Sequence, residues 1–107
     1  MVFIETPIFT KLIQELMSDD EYRELQKALI SRPDLGDVMR NSGGLRKIRW
    51  KQEGRGKSGS VRVIYYWVTA DDQFRMMYVY SKGKQESLTA AQLAALRKIV
   101  ERWPNGR

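Results

Sequence analysis

The sequence predicts a single α+β domain: an antiparallel-rich β-sheet with an N-terminal helical hairpin and a C-terminal helix, in the order β-α-α-β-β-β-α. Three observations predict it. Two helix starts follow each other closely near the N-terminus, at Thr6-Pro7 and at Ser18-Asp19-Asp20-Glu21. Between Leu45 and Tyr80 the chain turns to strand-like segments rich in β-branched and aromatic residues, broken by turn signals. A third cap, Thr89-Ala90-Ala91-Gln92, then opens a last apolar stripe at helical spacing. A chain of 107 residues is long enough for one hydrophobic core, and residues 1–107 show no repeat, linker or domain boundary.

Each element has a local cause. Val2-Phe3-Ile4 is a short apolar run that suits a first strand. Thr6 is placed to cap a helix, with Pro7 in the first turn, where its missing N–H costs nothing. Ile8, Phe9, Leu12, Ile13 and Leu16 fall at helical spacing. Ser18 to Glu21 is a capping box, and the stripe that follows is Tyr22, Leu25 and Leu29, with Ala28 beside it. Arg32-Pro33 ends this second helix. The turn residues of Asp34-Leu35-Gly36-Asp37 and Asn41-Ser42-Gly43-Gly44 predict an irregular segment between them. From Leu45 to Lys51 the pattern alternates, with Leu45, Lys47, Arg49 and Lys51 on one face and Arg46, Ile48 and Trp50 on the other. Gly54-Arg55-Gly56-Lys57-Ser58-Gly59 reads as a hairpin loop, Val61 to Val68 as the strongest strand, Ala70 to Gln73 as a turn and Phe74 to Tyr80 as a third meander strand. Ser81 to Ser87 is a polar loop, and Leu93, Leu96, Val100 and Trp103 form the stripe of the last helix, which Pro104 stops.

The charge is concentrated. The formal charge is +6, from 19 Lys and Arg against 13 Asp and Glu. Seven of the positive charges lie between Arg46 and Arg62 with only Glu53 against them, which leaves 12 of each sign in the rest of the chain. A cationic segment on an otherwise neutral domain predicts a polyanionic partner, most often nucleic acid. No cysteine is present, which excludes disulfides, thiolate zinc sites and a cysteine nucleophile. No histidine is present either, which excludes His-based acid–base catalysis, Ser-His-Asp triads and His-ligated metals. Any catalysis falls to Lys, Arg, Tyr or carboxylates, and the reading calls for no cofactor and no metal. No apolar run approaches the roughly 20 residues of a membrane span, and a signal-peptide pattern is missing, so the expected location is the cytoplasm.

Four groups of residues carry possible chemistry, each with a plainer explanation beside it. Lys47, Arg49 and Lys51 share a strand face that cannot be core, and the plain alternative is a solvated face that blocks aggregation. Arg62 interrupts the most apolar strand. It either covers apolar surface with its stem or joins Lys47 and Arg49 on the polar face, where a guanidinium grips phosphate through two donors. The Gly56-Lys57-Ser58 run invites a nucleotide-binding reading, which fails because Lys51 stands where the Walker pattern needs glycine and a strand, not a helix, follows. Its cations remain available to nucleic-acid backbone, and the plain alternative is a hairpin connection. Tyr80-Ser81-Lys82-Gly83-Lys84 leaves the third meander strand, where a rigid sheet places polar residues, though an ordinary loop explains it too. Tyr65 and Trp67 share the side of Val63, expected to be core.

Together these elements resemble the RelE/ParE superfamily of bacterial toxins, most closely its HigB-type branch. The resemblance covers nearly the whole chain. It rests on the ordered set Leu35-Gly36-Asp37-Val38, Gly43-Gly44-Leu45-Arg46-Lys47-Ile48-Arg49, Gly56-Lys57-Ser58-Gly59, Arg62-Val63-Ile64-Tyr65-Tyr66 and Tyr80 with Lys82 and Lys84. It implies a RelE-like fold and the toxin role in a type II toxin–antitoxin system. RelE- and HigB-like members enter the ribosomal A site and cut messenger RNA, which stops translation and arrests growth. ParE-like members share the fold and poison DNA gyrase. The implied partners are a cognate antitoxin, the ribosome with its 30S rRNA, and mRNA, with no membrane.

Carried over residue by residue, the resemblance implies catalytic roles for Lys47, Arg49, Arg62, Lys82 and Lys84, and RNA contacts from Arg46, Lys51, Arg55, Lys57 and Tyr80. Some RelE-like members use a catalytic tyrosine near the C-terminus; no tyrosine follows Tyr80 in this chain, and HigB-like members often lack one too. Histidine is dispensable because RNA carries its own nucleophile, the 2′-OH. Lys47 is the candidate base, since like charges lower a lysine's pKa. Arg62 is expected to stabilise the phosphorane and Lys82 or Lys84 to assist the leaving group. A ribosome holding the RNA in line contributes orientation. The competing reading is a non-catalytic binder, either a gyrase poison or a plain nucleic-acid-binding module.

Overall fold

The computed structural model describes residues 1–51 and 60–103. Five strands, β1 (Val2–Glu5), β2 (Asp37–Val38), β3 (Arg46–Lys51), β4 (Ser60–Val68) and β5 (Gln73–Ser81), build one sheet in the order β1-β5-β4-β3-β2. Three helices accompany it: α1 (Pro7–Leu16), α2 (Asp19–Ser31) and α3 (Ala90–Arg102). β1 runs parallel to β5 and every other pairing is antiparallel. The chain is therefore α+β, with one strand more than the sequence predicts. Among the described residues no helix is long and apolar enough to cross a membrane.

The helices start where their side chains cap them. Thr6 Oγ1 accepts the Phe9 N–H at 3.2 Å and donates to Met77 O at 2.8 Å, so the cap also fastens α1 to the sheet. Ser18 and Glu21 satisfy each other's backbone N–H at 3.1 Å each, and Thr89 and Gln92 do the same for α3 at 2.9 and 3.1 Å. Ile8, counted in the α1 stripe, is exposed, because the buried face runs one position on, through Phe9 and Ile13. The extra strand β2 lies in the segment expected to be irregular. Asn41 at φ 57°, Gly43 at 76° and Gly44 at 105° reverse the chain within a few residues and lay Asp37 beside Lys47 and Val38 beside Arg46. A Cβ on Gly44 would stand 3.0 Å from the Tyr66 ring, so this turn needs glycine for space as well as for φ.

The sheet separates two apolar clusters. Under α1 and α2 lie Ile48, Val61, Val63, Tyr65, Phe74, Met76 and Val79, packed on Phe9, Ile13, Leu25 and Leu29. Tyr65 is buried and Trp67 packs against this cluster, on the side of Val63. On the opposite face Leu45, Ile64, Met77 and Tyr80 pack with Leu96 and Val100 of α3. Leu45 is therefore core although it shares a strand face with three cations, because α3 covers only its end of that face. A bulge breaks the β4–β5 register between Ile64 and Tyr65, so Met77 and Tyr78 both join the α3-side cluster although they are adjacent. At the far end of that cluster Arg75 lies with its Cζ 4.3 Å from the centre of the Trp103 ring and donates from Nη1 to Trp103 O at 3.2 Å. That contact seats the C-terminal end of α3.

Candidate functional site

The face away from the helical hairpin is closed by α3 at one end and bare of helix at the other. Register decides what stands there. Arg49 pairs with Arg62, and Arg62 with Tyr80. Cross-strand partners face the same side of a sheet, so these three side chains form one row. The row nearer α3 is Lys47, Ile64 and Tyr78. The row beyond begins with Lys51 and Ser60, and the Lys82 N–H donates to Ser60 O at 3.0 Å, which extends the ladder to Lys82. Lys47, Arg49, Lys51 and Arg62 thus share one face across two neighbouring strands.

Among the described residues no carboxylate forms an ion pair with any of these cations. The salt bridges among the described residues are Arg23–Asp20, Lys27–Glu24, Arg32–Asp34 and Arg97–Glu101, all on the helices or at the exit of α2. Asp37 stands across from Lys47 in the register, yet no ion pair joins them. Lys47 is half-buried, and Arg49 and Lys51 are exposed.

Arg62 is the exception in burial. It is 7% exposed, and its Nη1 has no hydrogen-bond partner. Its neighbour Tyr80 is 5% exposed, and its hydroxyl has no partner either. A buried polar group left unpaired costs about 1–3 kcal/mol, and more when charged. The other such atom among the described residues, Trp67 Nε1, lies on the opposite face. Two unpaired buried donors on one row are costly to folding and well placed to donate to an anion. Burial pushes the Tyr80 phenol above its ordinary pKa, and the nearby Arg62 and Arg49 charges draw it back only in part. Tyr80 is therefore a neutral hydroxyl near pH 7, able to donate.

A groove of about 670 Å³ runs along the outer edge of β3, lined by Val38, Arg40, Lys47, Arg49 and Trp50 among others. It joins the edge strand β2 to the cationic rows. Arg40 was missed by the sequence reading, which left it in the irregular segment; its place follows from the β2–β3 pairing, which no periodicity announces. Among the described residues no group of three or more acidic side chains converges to hold a metal ion.

Of the residues proposed from sequence, the structure brings together Lys47, Arg49, Lys51, Arg62 and Tyr80, with Lys82 at the end of the third row. Arg46 stands apart. It projects to the opposite face, donates from Nη1 to Gly36 O at 2.8 Å and lies 5.9 Å from the Trp67 ring centre. Its guanidinium is committed to holding the segment before β2. Lys84 lies past the end of the rows: it lines a cleft of about 120 Å³ with Glu15 and Leu16 of α1, which Tyr78 and Tyr80 also border. Arg55 and Lys57, with the whole glycine-rich loop, lie outside the described residues, as does Pro104.

No family model matches the sequence. Among solved structures, the chain is similar to a double mutant of the E. coli toxin RelE in its free state. The two are 14% identical, superpose with a TM-score of 0.59, and match over 96% of this chain and 97% of the other. The likeness is one of fold, and the fold is RelE-like.

Proposed function

We propose that this chain is a toxin of the RelE/ParE superfamily, of HigB type, acting in the ribosomal A site as an endoribonuclease on mRNA. One observation carries the reading: a buried Arg62 whose Nη1 has no partner, in the middle of a cationic face that carries no ion pair among the described residues, at the bare end of a sheet whose other end is closed by α3. The fold shared with the E. coli toxin RelE supports it. A structural arginine at this depth would be expected to have a carboxylate partner.

In this reading the edge groove and the exposed Lys51 and Arg49 hold the phosphate backbone. Lys47 takes the proton of the 2′-OH. Arg62 and Arg49 stabilise the extra negative charge that builds on the phosphorane. Lys82 stands nearer to this chemistry than Lys84. The ribosome contributes the in-line geometry that free RNA lacks, and the work is done in the cytoplasm. A cognate antitoxin of acidic or amphipathic character neutralises the toxin by covering the basic face or by making the molecule too wide for the A site. Capture of that antitoxin is fast at low salt and slows as salt rises.

The test uses purified protein with the same mRNA, free and on ribosomes. Cleavage on ribosomes with little on naked RNA is the expected result. In cells, overexpression should stop translation with mRNA cut inside codons, and a co-expressed neighbouring small reading frame should restore growth. A DNA-damage response with intact mRNA would sink the nuclease reading and favour a gyrase poison. Unimpaired growth with no bound partner would leave a plain RNA-binding module.

A further inference from the structure

We propose that the Tyr80 hydroxyl is the proton donor to the departing 5′-oxygen; the inference rests on the nuclease reading above and assigns a step within it. The observations are geometric. Tyr80 is directly across from Arg62, and both present a buried donor with no partner in the protein. The Arg62 charge acts on the Tyr80 phenol, so a phosphate drawn into this row meets both side chains. The ring is fixed in place. It packs in the α3-side cluster, 6.0 Å from the Tyr78 ring, and the Tyr78 hydroxyl accepts from Gln92 Nε2 at 3.2 Å. Gln92 is the third residue of α3 and partner of Thr89 in its capping box, so helix and strand together set the position of Tyr80.

The alternatives are placed less well. Lys82 and Lys84 are both exposed, at the end of β5 and in the turn beyond it, and Lys84 borders the small cleft against α1 that Tyr80 also lines. The charged and titratable groups facing Tyr80 are Arg49, Arg62 and Tyr78 on the sheet, with Glu15 and Lys84 lining the small cleft that Tyr80 itself borders. Burial raises the phenol's pKa, which keeps the proton available near neutrality, while Arg62 and Arg49 stand ready to stabilise the phenolate once it has left.

The step balances. The 2′-oxygen gives its proton to the base and attacks phosphorus, forming the P–O2′ bond. The P–O5′ bond breaks with its electron pair on O5′. The Tyr80 proton passes to O5′, and the phenolate beside Arg62 is reprotonated from water. The products are a 2′,3′-cyclic phosphate and a 5′-hydroxyl.

The decisive experiment compares two ribosome-bound mRNAs, one ordinary and one with sulfur replacing the bridging 5′-oxygen at the cut site. A thiolate leaves without protonation. Tyr80→Phe should slow cleavage of the ordinary mRNA by about 10²–10⁴-fold and cut the sulfur-bridged one at close to the wild-type rate. Arg62→Ala should be slow on both. Equal slowing of Tyr80→Phe on both substrates, no slowing on the ordinary one, or rescue by sulfur in Lys82→Ala instead, would overturn the assignment while the nuclease reading stands. A wild-type protein inert on both would overturn the nuclease reading and this step with it. To guard against loss of fold in the Phe variant, 3,5-difluorotyrosine at position 80 keeps ring and hydroxyl. It should move the alkaline limb of the ordinary mRNA's pH–rate profile down and leave the sulfur-bridged profile unchanged; an unmoved limb counts against the proposal.

Discussion

On the face under the helical hairpin, Val63, Tyr65, Phe74, Met76 and Val79 meet Phe9, Ile13, Leu25 and Leu29, and every one of them is buried. On the opposite face α3 covers Leu45, Ile64 and Met77 and its cluster reaches Tyr80, while Lys47 stands beside Ile64 and the rows beyond hold Arg49, Arg62 and Lys51. The same three strands supply both faces, so alternation along each strand delivers an apolar residue to one side and a cation to the other. The ion pairs follow the same division. They occur on α2, at its exit and on α3, whereas the rows carry none. The first face is built for stability. The open end of the second gives up stability, in the form of unpaired buried donors, for the ability to hold an anion.

Substitutions can break this division of labour. The largest loss of stability is expected on the hairpin face. Phe74 is fully buried, 5.0 Å from the stacked Phe3 ring, and Phe74→Ala should lower unfolding free energy by about 3–5 kcal/mol. Urea unfolding measures it, and a loss under about 1 kcal/mol would mean that this cluster is not the main core. A smaller loss is expected at the hairpin's exit. The Tyr65 hydroxyl accepts from Gly36 N at 2.9 Å and donates to Pro33 O at 2.6 Å, tying the segment before β2 to the core. Tyr65→Phe keeps the ring and orphans both groups, at about 1–3 kcal/mol. Ribosome-dependent cleavage by the folded fraction should be nearly unchanged, since the hydroxyl faces away from the rows.

The smallest effect is in pH. Burial raises the phenols of Tyr22, Tyr65 and Tyr80 above the ordinary 10.0, with the hydrogen bond to Glu5 as a further cause at Tyr22. Below pH 10.0 these groups hold their protons in both states and leave stability level. As pH rises through that value, the unfolded chain releases protons that the folded protein keeps, so stability falls. The urea midpoint should decline from about pH 10 upward, and less steeply in Tyr65→Phe; a midpoint that rises there would contradict the burial of these phenols.

Much of the fold was legible because its signals are local. Three caps, the proline stop after α2 and the density of β-branched residues in β4 placed the helices and the meander. What was not legible depended on pairing. The two-residue β2 has no periodicity, and only its register to Lys47 and Arg46 makes it a strand. The site was half legible for the same reason. Lys47, Arg49 and Lys51 follow from alternation within one strand, and Arg62 joins them once β3 pairs with β4. Tyr80 enters the row through a β4–β5 register that includes a bulge, which sequence spacing does not announce. Arg46 has the composition of a site residue, but parity puts it on the far face, against Trp67.

The central claim is that Arg62 serves function at the expense of stability, and one paired measurement on Arg62→Ala tests it. Ribosome-dependent mRNA cleavage and the urea midpoint are determined on the same preparation. Losing a preorganised donor at the phosphorane should cost about 3–4 kcal/mol of transition-state stabilisation, a rate loss of about 10²–10³. Removing a charge that is 7% exposed and short of partners should leave the midpoint unchanged or higher. Undiminished cleavage, or a loss of cleavage that tracks a lower midpoint, would contradict the account.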